Sequence, residues 1–245
     1  MLFFKKKHTE PSLDFSWLGA DMHSHLIPGI DDGSPDLATS IDYIKKLCDL
    51  GYRKIITTPH IYKEIHPNMK ENILNGCSLV QKQIEQEGIE VTFRAAAEYF
   101  MDEHFEQLLQ SKEPLLTLKD NLVLVEFSML SSPMDLQQIL FDMQLLNYQP
   151  VIAHPERYSY LRKRPEVLDE LKISGCWFQV NLLSLIGYYG ESVQKLAEDL
   201  IKKEYYDLAG SDLHHERHLK LLPKVAATAS FRRLKKSGLI KNHTL

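Results

Sequence analysis

The sequence predicts an α/β fold, a distorted TIM-like β/α barrel with about seven parallel strands, and three observations lead there. Short apolar runs alternate with segments of helical spacing, and parallel neighbours need such crossovers. The 245 residues match the roughly 250 of one such barrel. Polar residues gather after nearly every apolar run, whereas an open doubly wound sheet would concentrate them at one switch point.

Strands are expected at residues 18–22, 54–58, 91–97, 122–127, 151–153, 177–181 and 206–209, each a short run rich in apolar side chains. The first helix follows Ser34-Pro35, where Ser34 can cap and Pro35 suits the first helical position. Leu37, Ile41, Ile44 and Leu47 share one face of it, and Gly51 stops it. Further helices are expected over 68–87, 102–110, 133–146, 165–174 and 192–203, with a last amphipathic stretch from 216 to 236. No internal repeat, low-complexity tract or long linker interrupts the pattern. Residues 1–17 read as an N-terminal extension and 18–245 as a single barrel domain.

Composition narrows the function classes. A hydrophobic fraction of 44% with 25% charged residues suits a globular chain with a substantial core. A net charge of -4 and a pI near 6.3 give no support to broad nucleic-acid binding. Cys48, Cys77 and Cys176 are scattered and odd in number, which argues against a disulfide framework or a thiolate metal site. Met1-Leu2-Phe3-Phe4 precedes Lys5-Lys6-Lys7, the wrong order for a signal peptide. No run approaches the roughly 18 apolar residues of a membrane span. A cytoplasmic location without stable membrane insertion is the expectation.

Chemistry collects at the strand ends. The first strand ends in His23-Ser24-His25, and alternate residues of a strand face the same way, so both imidazoles can reach one ion. Asp31-Asp32-Gly33 follows as a tight turn. Alone, His-x-His is a weak signal. The later strands add His60 after Thr57-Thr58-Pro59, Glu98 after Ala95-Ala96-Ala97, Glu126 after Leu122-Val123-Leu124-Val125, His154 after Val151-Ile152-Ala153, and Asp212 and His214 after Ala209-Gly210. A carboxylate at a buried strand end is costly unless paired or metal-bound, and several converging on one mouth repel each other without cations between them. Imidazole and carboxylate without thiolate suit manganese, iron, zinc or magnesium. So many donors exceed what one ion takes, and two or three divalent ions are implied.

These segments resemble the PHP (polymerase and histidinol phosphatase) superfamily, and within it the bacterial tyrosine-protein phosphatases of capsule and exopolysaccharide synthesis. The resemblance rests on residues 21–33, Thr57-Thr-Pro-His60, Ala97-Glu-Tyr99, Val125-Glu-Phe127, Ala153-His-Pro-Glu-Arg157 and Gly210-Ser-Asp-Leu-His214, and it spans roughly residues 20–220. It implies a trinuclear site. His23, His25, Glu98 and Asp212 would hold one ion, Glu98, Glu126 and His154 a second, and Asp32, His60 and His214 a third, with manganese the expected metal. It also implies phosphomonoester hydrolysis, with Arg157 clamping phosphate oxygens and Arg217 as a second arginine. The implied partner is a phosphotyrosine protein, the tail of a bacterial tyrosine kinase. Histidinol-phosphate or nucleotide hydrolysis, or a metal-stabilised module without turnover, are the alternatives.

A cysteine-based phosphatase loop is excluded, since it needs Arg six positions after Cys, and Lys54, Gln83 and Leu182 stand there. Asp31 reads as a turn residue or a partner of Asp32. Asn181 reads as a phosphate or water ligand, or equally as a turn cap. His8, His66, His104, His215, His218 and His243 read as surface residues, with His215 and His218 placed to touch substrate. Tyr62, Tyr99, Tyr188 and Tyr189 read as core or loop aromatics that could also line the entrance.

Overall fold

The protein is described by a computed structural model covering residues 14–245. Nine parallel strands form two sheets. The smaller has the order β1 (Ala20–Asp21), β2 (Lys54–Thr57), β4 (Thr92–Ala95). The larger runs β3 (His60–Ile61), β5 (Glu98–Phe100), β6 (Leu122–Glu126), β7 (Gln149–Ala153), β8 (Trp177–Asn181), β9 (Leu208–Gly210).

The strand count departs from the expected seven because two short strands follow the second and third runs. β2 and β4 fill the expected second and third runs, and β3 and β5 lie just past their ends, separated from them by Thr58-Pro59, where proline offers no N–H to a ladder, and by Ala96-Ala97. Backbone bonds still cross both breaks, from Ala96 N to Thr57 O (2.8 Å) and from Glu98 N to Pro59 O (3.1 Å). The first and last strand ends also meet, through Asp212 N to His23 O (2.7 Å) and His25 N to Leu213 O (2.9 Å). The sheet is thus strongly curled, with its carboxyl ends gathered on one rim.

Side-chain alternation then sorts the strands. On β6, Val123 and Val125 join the large outer core, while Leu122 and Leu124 face a smaller inner cluster with Met22, Ile56, Ala96 and Val151. Continuing that inner series by two residues delivers Glu126 from Leu124 and Glu98 from Ala96. The same step carries Leu208 through Gly210 to Asp212.

Eight helices accompany the strands: α1 (Leu37–Asp49), α2 (Lys70–Gln86), α3 (Glu103–Ser111), α4 (Leu136–Leu145), α5 (Pro165–Ile173), α6 (Glu191–Lys202), α7 (Glu216–Ala226) and α8 (Ala229–Ser237). The cap of α1 is Asp36, whose Oδ1 accepts from Thr39 N at 2.8 Å, rather than Ser34. The expected last helix is two, because Thr228 leaves helical geometry and caps α8 through Phe231 N. Of the expected 1–17 extension, residues 1–13 lie outside the described residues, while Phe15 is buried against Tyr52 and Phe231.

Candidate metal centre

Every metal ligand expected from the sequence lies on the same rim, in a cleft of about 420 Å³ or in its wall. His23, His25, Glu98 and Asp212 form one fully buried group. His23 Nε2 is 3.1 Å from Glu98 Oε2 and 3.2 Å from Asp212 Oδ1, and His25 Nε2 is 3.5 Å from each. A second group is His60, Glu98 and Glu126. His60 Nδ1 lies 3.0 Å from Glu126 Oε1 and 3.3 Å from Glu98 Oε2. A third joins His25, Asp32, His60 and His214.

The partition differs from that implied by the resemblance in two places. His60 stands between the second and third groups, where the resemblance implies His154 for the second. His25 joins the third as well as the first. His154 remains adjacent, its Nε2 3.1 Å from Glu98 Oε1 and 4.0 Å from Glu126 Oε2. Compact packing explains the overlap: Glu98 sits among His23, His25, His60 and His154, so shared corners are unavoidable.

Local structure aims these side chains. His154 directly follows β7 and Asp212 stands two residues past β9, with φ of 36° and 50°. Left-handed backbone of this kind costs about 1–3 kcal/mol at a residue other than glycine. Backbone bonds at Asp212 N and His154 O hold both turns. Gly210 is dictated by close approach, since a Cβ there would stand 2.6 Å from His23 Cβ.

A ring of polar residues orients the imidazoles. Gln179 Oε1 lies 3.0 Å from His23 Nδ1 and accepts from His154 N. Sequence reading passed over Gln179, although it occupies the inward face of β8 two residues before Asn181, which was a usable signal. Asp31 is the expected turn residue, its Oδ1 accepting from Gly33 N at 3.0 Å, while its Oδ2 is 2.8 Å from His25 Nδ1, so it serves His25 rather than its neighbour Asp32. Such outer partners fix the ring and its tautomer. Asn181 does two jobs, donating from Nδ2 to Asp212 Oδ2 (2.8 Å) and capping Leu183 N. His66 is not a bystander: its ring stacks on His60 at 5.2 Å, and its Nε2 is 3.9 Å from Asp32 Oδ1. His218 is buried against the cleft rather than on the surface.

Electrostatics follow from this crowding. Burial alone would lower the His23 pKa, but Glu98 and Asp212 overcome it and raise it to about 9. Burial opposes ionisation of Glu98, yet His23 and its neighbours hold that carboxyl well below its usual range. His214 holds Asp32 down in the same way. The donor set therefore fits divalent cations. His60 Nδ1 supplies an independent sign: it is buried and makes no hydrogen bond despite facing two carboxylates. The two carboxylates can only accept, so a lone pair on this nitrogen would be satisfied by a cation between them.

The two arginines are placed differently. Arg157 lies in the cleft, with Nη1 2.7 Å from Asp212 Oδ2 and its guanidinium 4.3 Å from the Tyr189 ring centroid. Arg217 is exposed on α7 and stacks 5.3 Å from Tyr188, which lines the cleft where Arg217 does not.

Fold and site together define a parallel α/β protein whose strand ends carry clusters able to hold metal ions. The chain belongs to the capsular polysaccharide synthesis CpsB/CapC family, whose model matches residues 19–238. Among its relatives, the tyrosine-protein phosphatase YwqE of Bacillus subtilis is 32% identical over 196 residues, 80% of this chain and 77% of that protein. The tyrosine-protein phosphatase CpsB of Streptococcus pneumoniae is 28% identical over 201 residues, 80% of this chain and 82% of that protein. A solved structure from work on those two proteins, described as metal-dependent tyrosine phosphatases, superposes with a TM-score of 0.80 at 28% identity. That match covers 92% of this chain and 90% of the other. Histidinol phosphate phosphatase of Lactococcus lactis shares the fold, with a TM-score of 0.54 at 13% identity over 91% of this chain and 96% of that one.

Proposed function

We propose that this chain is a metal-dependent protein-tyrosine phosphatase acting on the phosphotyrosine tail of a bacterial tyrosine kinase that controls capsule or exopolysaccharide synthesis. The observation that carries this reading is the convergence of five imidazoles and four carboxylates beside Arg157, in one open cleft and in the wall behind it. The family and its phosphatase relatives support the substrate class.

In this reading His23, His25, Asp32, His60, Glu98, Glu126, His154, Asp212 and His214 hold two or three divalent ions, manganese by preference, with iron, zinc or magnesium as substitutes. Ions held there supply charge neutralisation for the phosphoryl group and acidify water. Arg157 presents its planar donor fork to phosphoryl oxygens, and the Tyr189 face beneath it limits its rotamers. Asp212 ties Arg157 to the centre, so the guanidinium is placed before substrate arrives. Arg217 at the rim is the second, weaker phosphate contact. Tyrosine is a comparatively good leaving group, its phenol pKa being about 10, and needs little help from a general acid. No helix among the described residues is long and apolar enough to cross a membrane, and Cys48, Cys77 and Cys176 are free thiols, which supports action in the cytoplasm.

The test is turnover of matched phosphotyrosine and phosphoserine peptides by protein purified without chelator, with metal content measured on the same sample. Hydrolysis favouring phosphotyrosine, with at least two ions per chain, is expected. Absence of turnover with any divalent ion would remove the reading in favour of a metal-stabilised module.

A further inference from the structure

The cleft does not end at the metal cluster. His60 and Glu126 also line a second groove of about 260 Å³, which opens beside the centre between Tyr62, Ile65, Phe100 and Met129. It differs in kind from the side of the cleft that carries Arg157. There Tyr189 lies under Arg157 at 4.3 Å and Tyr188 under Arg217 at 5.3 Å, so those aromatic faces are already engaged. In the groove, Tyr62 and Phe100 stack on each other at 4.0 Å with an interplanar angle of 11°, a two-ring apolar stack. Beside them Ile65 is 62% exposed, a large aliphatic side chain left in water next to a charged centre.

The groove is built rather than frayed. Tyr62 and His66 exchange both backbone bonds, at 3.0 and 2.8 Å, which fixes the turn carrying Ile65. Asn68 Nδ2 donates to His60 O at 2.9 Å and to Ile30 O at 2.9 Å, tying the base of that turn to the ligand loops. Cavities of roughly 150 Å³ already accept benzene, so the space is sufficient for an aromatic ring.

Resting on the phosphatase reading, we propose that this groove receives the phenyl ring of the phosphotyrosine substrate and favours aromatic over aliphatic phosphomonoesters. A phosphoryl group seated among the metal ligands must project its leaving group to one side. On the arginine side it would meet the Arg157 guanidinium and a Tyr189 face already covered by it. On the groove side a ring covers Ile65 and extends the Tyr62–Phe100 stack, and both contacts are worth free energy. A seryl phosphate has no ring to place there.

The experiment compares the metal-loaded full chain with Ile65→Ser and with Ile65→Leu, on phosphotyrosine and phosphoserine peptides of identical flanking sequence. Ile65 is largely exposed, so its replacement spares the core. Ile65→Ser is expected to raise KM for phosphotyrosine by about fivefold with little change in kcat, and so narrow the preference, while Ile65→Leu restores it. Phe100→Ala should act in the same direction and more strongly. Equal losses on both peptides, or an unchanged preference, would overturn the assignment of the groove. Failure of the parent protein on both peptides would instead remove the phosphatase reading itself.

Discussion

Glu98 opens β5 and Glu156 lies in the turn after β7, and both are buried, at 0% and 1% exposure. Their surroundings are opposites. Glu156 Oε1 accepts from Asn181 N (2.9 Å) and Ser184 Oγ (2.8 Å), and its Oε2 accepts from Tyr206 Oη (2.9 Å). Fixed donors fill its lone pairs, and burial raises its pKa. Glu98 faces imidazole nitrogens of His23, His25, His60 and His154 at 3.1, 3.5, 3.3 and 3.1 Å. Those rings are themselves acceptors unless protonated. A carboxylate ringed by neutral O–H and N–H donors builds the fold, whereas one ringed by imidazoles needs positive charge among them, as protons on the rings in the ion-free chain or as a cation in their place.

Four experiments would break or sharpen that contrast. Glu98→Gln should have the largest effect, lowering turnover by about a thousandfold or more and reducing bound metal, while the ion-free protein stays folded. Retained metal stoichiometry and activity would refute the distinction. Gln179→Leu removes only the groups that orient His23 and the His154 turn, so metal affinity should weaken by about ten- to a hundredfold, read by competition with a chelator.

Glu156→Leu should do the reverse, costing about 3 kcal/mol of stability by leaving three donors unpaired. Denaturant titration reads that loss, and a drop in metal binding without loss of stability would contradict it.

The smallest effect is in pH. The His23 pKa is about 9 in the folded, ion-free chain against an ordinary 6.5, so its contribution to stability is complete below 6.5 and is lost as pH climbs through 9. The chelated protein should therefore melt several degrees lower at pH 9 than at pH 6.5, by roughly the usual slope for a chain of this size. Metal-loaded protein should lack that decline, because the ion takes the place of the proton. Identical pH profiles with and without metal would show that His23 does not carry the cluster's charge.

Local patterns made much of this molecule legible. Strand and helix positions follow from apolar spacing, which depends on neighbours a few residues away. Glu126 and His154 were readable because each ends an apolar run, and a charged group there demands an explanation wherever the strand goes. His23 and His25 were readable because two imidazoles on alternate strand positions share a face.

Other features were settled by contact. His60 falls between two ligand groups because Pro59 breaks its strand and shifts it into the larger sheet, a result of how sheets meet. Asp31 binds His25 and leaves Asp32 to the outer group, a choice between adjacent identical residues that sequence spacing leaves open. Gln179, His66 and the Tyr62–Phe100 wall owe their roles to partners tens of residues away. Sequence alone determined which residues would be costly to bury. Tertiary structure decided which of those costs are met by hydrogen bonds and which by cations, because that depends on what stands within about 3 Å of each oxygen, a hydrogen-bond distance.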